Sequence, residues 1–191
     1  HLLRASPINL DRFYKDLHFR GTFSVKTKNS SFKLHHLGTT IENELFWKGL
    51  GNSMEEDTIW FWEETCTDSE VIMYIGANTG VYSLIAKTEN PSAKVISFEP
   101  SVKIYKPLIE NMRLNGFNVE CERIALSNSN ETQIFYDLDT LDFPTSGSLS
   151  SKKLKDLVKD RTDISEYEVV CRTFDTYLEE KGIAKIDLIK I

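Results

Sequence analysis

The chain has 191 residues, 40% hydrophobic and 27% charged, a composition that buries a core without cross-links. Its 29 acids outnumber 23 scattered bases for a net charge of −6, which argues against nucleic acid as a partner because that binding needs clustered Lys and Arg. No apolar run reaches the ~20 residues that span a bilayer, and Cys66, Cys121 and Cys171, far apart and without a CxxC pair, suggest neither a disulfide framework nor a zinc site but a reducing, cytoplasmic setting.

Residues 1–65 are polar and irregular. A hairpin is expected from 22–26 and 32–36 around Lys28-Asn29-Ser30, and helical spacing over 41–50 and 57–64 predicts two short helices. This stretch is read as a small N-terminal α+β extension, a lid or brace. The chain opens on His1 rather than Met and shows no signal peptide, which leaves room for an upstream segment. From residue 70 the rhythm becomes strand, turn, helix. Val71–Ile75 reads as a buried parallel strand, followed by a helix from near Thr79 and a strand over Lys94–Phe98. A helix over 104–114 stops at Asn115-Gly116, and Pro107 inside it means that the helix either starts late or bends. Further strands are expected at 118–122, 132–136, 167–172 and 187–191, with a helix over 175–181 capped by Asp175. The basic run Lys152-Lys153 with Lys155 is read as a solvated helix face. Alternation of this kind predicts an α/β fold: a Rossmann-like core with a parallel central sheet over residues 66–191.

In an open α/β sheet ligands sit beyond the carboxyl ends of the strands, which directs attention to Ile75-Gly76-Ala77-Asn78-Thr79-Gly80. Gly76 and Gly80 permit a tight turn and close approach of a ligand, and the next helix offers unpaired N–H groups. A dinucleotide fingerprint needs G-x-G-x-x-G, but Asn78 and Val81 stand at its second and third glycine positions, and no P-loop Gly-Lys follows. A ligand without phosphate fits better: the methionine end of S-adenosylmethionine. Glu99 closes the next strand 23 residues after Gly76, the spacing of an acid that accepts from ribose hydroxyls; capping of the following helix is the alternative. Pro100 turns the chain away.

These residues resemble the FkbM-type family of S-adenosylmethionine-dependent methyltransferases. Four segments match in order: the glycine loop; Phe98-Glu99-Pro100-Ser101; Ala125-Leu126-Ser127; and Thr173-Phe174-Asp175 leading to Asp187-Leu188-Ile189-Lys190-Ile191. The likeness covers 70–191 well and the first 65 residues loosely. It implies a class I methyltransferase core in which Gly76, Asn78 and Gly80, with Ala77 and Thr79 between them, meet the methionine moiety. By the same likeness Glu99 meets the ribose, Ser101 closes the pocket, and Ile124 and Ala125 lie by adenine. It implies methyl transfer to a hydroxyl of a small-molecule or glycan acceptor. Two departures stand out. Tyr74 replaces an acid usual in the family, and the family continues past Ile191 with further strands. The C-terminal strands are thus expected to be missing, which leaves the fourth strand an apolar edge open to pairing between copies.

Transfer to a hydroxyl needs alignment and removal of a proton, and no residue in the sequence is singled out as the base. His35, His36, Glu44 and Lys190 are the candidates. The two histidines read more readily as a strand with one ring solvated than as a base, and they make no metal site because neighbours on a strand point to opposite faces. Glu42 and Glu44 suit a helix N-terminus as well as an acceptor pocket, Trp47, Trp60 and Trp62 read as core, and 145–149 reads as a substrate loop or a linker. Beside the methyltransferase stand two competing functions: a non-catalytic or truncated cofactor-fold module acting through a partner, and a nicotinamide oxidoreductase, against which Asn78 and Val81 argue.

Overall fold

Val71–Ile75 is apolar throughout, as a strand covered on both faces must be, and it forms β3 near the centre of a parallel sheet ordered β5-β4-β3-β9. The other members are β4 (Lys94–Phe98), β5 (Glu120–Glu122) and β9 (Leu188–Lys190). Register matters for function. Ile75 pairs with Phe98, Phe98 with Glu122, and Tyr74 with Lys190, so the chain leaves β3, β4 and β9 along one common rim.

The computed structural model describes residues 20–53, 55–138, 147–150, 152 and 164–191. Residues 1–19 of the expected extension, Lys153 and Lys155 of the basic run, and Thr145 and Ser146 lie outside the described residues.

Side chains alternate across the sheet. Ile72 and Tyr74 enter one cluster while Met73, Ile96 and Phe98 enter another with Tyr177. The first face is covered by α3 (Val81–Glu89) and α4 (Val102–Leu114), the second by α5 (Phe174–Lys181). The N-terminal elements join the first cluster. These are the hairpin β1 (Gly21–Lys26) and β2 (Ser31–His36), then α1 (Thr40–Lys48) and α2 (Glu56–Cys66). Phe23, Phe32, Leu34, Phe46 and Trp62 pack there with Ile72 and Leu84. The Trp62 indole N–H also donates to the Tyr82 carbonyl at 2.9 Å. Of the three tryptophans, Trp62 is core, Trp47 is partly buried and Trp60 is 62% exposed.

Residues after β5 form a smaller sheet ordered β6-β8-β7: β6 (Ala125–Leu126), β7 (Thr132–Leu138) and β8 (Ile164–Arg172), the last two antiparallel. Both run farther than their periodicity predicts, because each supplies the other's ladder as far as the Leu138–Ile164 pair.

Three local expectations are corrected. Helix α4 starts at Val102, ahead of 104, so Pro107 lies within the helix. The cap of α5 is Thr173, whose side chain accepts from the Thr176 N–H, and Asp175 sits in the first turn. The acids of α1 divide: Glu42 closes a capping box with Thr39, whereas Glu44 is turned to a cavity described below.

Candidate functional site

The loop after β3 takes left-handed backbone at Gly76 (φ 71°), Asn78 (φ 51°) and Gly80 (φ 93°). Asn is among the few side chains that enter this region at modest cost, and the Asn78 Oδ1 here accepts from the Thr79 N–H at 2.7 Å. The loop is tied down on several sides. The Ala77 N–H donates to the Phe98 carbonyl at 2.8 Å and the Gly80 N–H to the Ala77 carbonyl at 2.9 Å. Asn111 of α4, fully buried, donates to the Thr79 carbonyl at 2.8 Å and accepts from the His35 N–H at 3.0 Å. The two glycines differ in purpose. A Cβ on Gly76 would meet nothing within 4 Å, whereas one on Gly80 would lie 2.6 Å from both Leu108 and Met112. Gly80 is glycine so that α4 can pack against the turn.

Glu99 stands beside this loop, 7% exposed. Its Oε2 accepts from the Asn78 N–H and its Oε1 from the Ser101 N–H, both at 2.8 Å. Burial pushes its carboxyl from 4.5 up to about 7, against the pull of those two N–H groups. The cap of α4 is Ser101, so Glu99 is not the helix cap. Each carboxylate oxygen keeps acceptor capacity beyond its one backbone bond, and Glu99 forms part of the wall of a cavity of about 140 Å³ with Gly76, Asn78, Pro100, Ser101, Ile104, Phe135 and Gly147. A ribose diol, with two O–H donors, suits that carboxylate. A buried network braces the far wall. Asp137, fully buried, accepts from the Ser101 hydroxyl and the Tyr167 hydroxyl, each at 2.8 Å, and from the Leu138 N–H at 3.0 Å. Gly147 is held against Phe135 so closely that a Cβ would come within 2.4 Å of the ring, and Ser148 pairs with Tyr136.

A second cavity of about 160 Å³ lies across the loop and shares Gly76 and Asn78 with the first. Tyr74, Ala77, Thr79, Val81 and Tyr82 form its floor; Ile41, Glu44 and Leu45 of α1 enclose it, with Ser53, Glu55 and Ile59; Lys190 of β9 enters beside Tyr74. The rings of Tyr74 and Tyr82 meet edge-on at 5.3 Å. The Tyr82 hydroxyl donates to Glu55, and the Lys190 Nζ lies 5.0 Å from the Tyr82 ring centroid. Burial raises both phenols far above their ordinary range, with the carboxylate of Glu55 adding to it, so both stay protonated. Glu44 pairs with Lys48 at 3.2 Å.

The structure therefore brings Gly76, Ala77, Asn78, Thr79, Glu99, Pro100, Ser101, Glu44 and Lys190 to one rim, in two joined cavities. Five other expected residues line neither; Gly80, expected to meet the ligand, is turned to α4 instead. His36 is buried, its Nδ1 accepting from the Gly38 N–H at 3.1 Å and its Nε2 bonded to Asn43 at 3.2 Å. His35 bonds to Thr22 at 3.2 Å. Ile124 packs beside Phe98 and Tyr177, and Ala125 with Phe135 and Cys171. Sequence reasoning missed Glu55, Tyr82, Asn111, Asp137 and Tyr167. A buried polar residue inside an apolar helical face, as at Asn111, is the one local signal among them. Among the described residues no group of His, Cys, Asp or Glu is placed to hold a metal ion, and no helix is long and apolar enough to cross a membrane.

Residues 74–191 match the family described as methyltransferase FkbM domain. The AMB antimetabolite synthetase AmbE of Pseudomonas aeruginosa is 25% identical over 147 residues, covering 63% of this chain and 7% of that protein. The SAM-dependent methyltransferase from Agrobacterium tumefaciens is 16% identical with a TM-score of 0.39, over 57% of this chain and 34% of its own. A protein-L-isoaspartate O-methyltransferase is 18% identical with a TM-score of 0.32, over 61% and 31%.

Proposed function

The chain belongs to the FkbM methyltransferase family, and on that premise we propose that it binds S-adenosylmethionine over the glycine loop and methylates a hydroxyl of a sugar or small natural-product-like acceptor. The observation that carries this reading is Glu99: a buried carboxylate that holds the loop through Asn78 and retains acceptor capacity toward a cavity at the strand rim. The cofactor supplies an electrophilic methyl group on a sulfonium. The chain's own residues bind and orient. Glu99 accepts from the ribose hydroxyls, Pro100 and Ser101 close that side, and Gly76, Ala77, Asn78 and Thr79 wrap the bend between the cavities. Gly80 acts by letting α4 pack on the turn, and Ile124 and Ala125 act from behind the cavity wall, which leaves the adenine to Ile104 and Phe135. The left-handed Asn78 fills the place where a pyrophosphate would need glycine, which speaks against a nicotinamide cofactor.

On the acceptor side, His35 and His36 lie off the cavities and are set aside as bases. Glu44 is assigned the proton of the acceptor hydroxyl, within the enclosure that α1 makes over the loop. Residues 1–65 then serve as the lid of a core over 66–191. The separate cysteines support a cytoplasmic setting.

Calorimetry with S-adenosylhomocysteine and with NAD tests the cofactor: the first is expected to bind and the second not. No binding of S-adenosylhomocysteine by the folded chain overturns the reading. Transfer of a tritiated methyl group to a panel of sugars and small hydroxylated acceptors then separates an enzyme from a binding module that acts through a partner.

A further inference from the structure

We propose that Asn111 is a positioning residue for the cofactor loop: it ties the shape of that loop to the seat of the N-terminal hairpin, so that the hairpin contributes to cofactor affinity without touching the ligand. The inference rests on the cofactor reading above and goes beyond it, because Asn111 and β2 line neither cavity.

Helix α4 grips β2 through two asparagines one turn apart. Asn115 holds the backbone of Lys33 twice, accepting from its N–H and donating to its carbonyl at 2.7 Å each. Asn111 repeats only the first half of that grip. Its Oδ1 accepts from the His35 N–H at 3.0 Å, and its Nδ2 turns away from the hairpin to the Thr79 carbonyl at 2.8 Å. The partners fix which end of the amide points where, since one can only donate and the other only accept. Asn111 is fully buried, so losing either partner leaves a polar atom without water.

Thr79 is a sensitive place for that bond. The first helical bond of α3 runs from the Leu84 N–H to the Gly80 carbonyl at 2.9 Å, so the Thr79 carbonyl lies one residue ahead of the helical ladder. Just before it, the left-handed Asn78 gives its N–H to Glu99 at 2.8 Å and accepts the Thr79 N–H on its Oδ1 at 2.7 Å. The Asn78–Thr79 pair is thus held at its first N–H by Glu99 and at its last carbonyl by Asn111, which β2 in turn aims. With that tie released, the loop shape that takes the ligand is one of several, and the apparent affinity falls with the fraction that populates it. Gly80 stays packed under Leu108 and Met112 of the same helix, which keeps the change local.

The test is calorimetry with S-adenosylhomocysteine, with urea unfolding of each variant alongside. Asn111→Asp keeps the size and the acceptor for His35. Ionised, it sets a carboxylate oxygen against the Thr79 carbonyl; protonated, its O–H donates there as the amide does. Charges on the elements about this position are Glu99 beside the loop, Lys33 and His35 of β2, and Glu110 and Arg113 of α4. All are common to variant and wild type, so the ratio of affinities at each pH isolates the new carboxyl. The variant is expected to bind about tenfold more weakly than wild type at pH 8, the scale of one hydrogen bond lost, and within about threefold of it at pH 6. Asn115→Ala leaves the chain from His35 through Asn111 to Thr79 whole, and should lower stability while keeping affinity within about twofold. From the hairpin side, His35→Pro removes the N–H that aims Asn111 and is expected to weaken binding about threefold, with His35→Ala unchanged. The proposal fails if Asn111→Asp matches wild type at pH 8, if its deficit is equal at both pH values, or if Asn115→Ala weakens binding as much. Should Asn111→Asp not fold at pH 8, His35→Pro decides, and binding equal to that of His35→Ala overturns the proposal. A folded wild-type chain that does not bind S-adenosylhomocysteine overturns the cofactor reading and this inference with it.

Discussion

Glu99→Gln removes one charge from the rim of the sheet with almost no change of shape. In the wild-type chain the two carboxylate oxygens accept from the Asn78 and Ser101 N–H groups at 2.8 Å each. A glutamine satisfies one of these donors and sets its own NH₂ against the other. For the bound nucleoside the loss is larger, because two ribose hydroxyls lose a charged acceptor. At roughly 1.5–3 kcal/mol per hydrogen bond to a charged group, the loss is about 3 kcal/mol or more, over a hundredfold in the dissociation constant for S-adenosylhomocysteine. The pH dependence supplies an independent reading. Burial raises the Glu99 carboxyl from 4.5 to about 7. If hydroxyls bind the ionised form, the affinity of the wild-type chain is about tenfold weaker at pH 6 than at pH 8, and that slope vanishes in the variant. The folded chain also holds this proton more tightly than the unfolded chain. Its stability therefore falls as pH rises from 4.5 to about 7, by up to about 3 kcal/mol relative to Glu99→Gln. Calorimetry at pH 6, 7 and 8 and urea titrations at pH 4.5 and 8 measure both effects. A variant that binds within threefold of wild type, with a flat wild-type pH profile, refutes the assignment of Glu99 to the ribose.

Gly80→Ala places a Cβ 2.6 Å from Leu108 and Met112 at a φ of 93° and is expected to destabilise the chain by about 2–4 kcal/mol in urea, while Gly76→Ala, open above its Cα but held at a φ of 71°, costs only the backbone strain, about 1 kcal/mol, besides its effect on ligand affinity. Asn78→Gly should keep the stability within about 1 kcal/mol, whereas Asn78→Val should lose about 2 kcal/mol or more, since a β-branched residue resists a φ of 51°; equal melting curves would refute the role given to the asparagine. Asp137→Ala leaves the donors of Ser101, Tyr167 and Leu138 unpaired in a fully buried place, an expected loss of about 3 kcal/mol, against about 1 kcal/mol for Tyr167→Phe. Thr39→Ala removes the cap of α1 and should lower stability by about 1 kcal/mol in the same assay.

What the sequence by itself determined is local. The apolar run of β3, the left-handed turn and the acid after β4 all follow from rules that act over a few residues: strand burial, the backbone freedom of Gly and Asn, and the fixed length of a strand–helix–strand unit. Those rules place Gly76, Asn78 and Glu99 at one rim before any coordinate is known. They do not distinguish the two glycines. Gly80 looks like a ligand contact until α4 is folded back on it, and the clash with Leu108 and Met112 is a fact of helix packing. The second cavity is wholly tertiary. Glu44 and Glu55 come from the N-terminal elements, Tyr82 from α3 and Lys190 from the last strand; no period in the chain links them. The same holds for His35, which reads as a base and serves through its backbone N–H to Asn111. A charged side chain carries no mark of its partner in one sequence, because its role depends on which distant element folding sets beside it, and here that was decided by the sheet register that puts Lys190 next to Tyr74 and by the shared core that draws α1 and α2 over the loop.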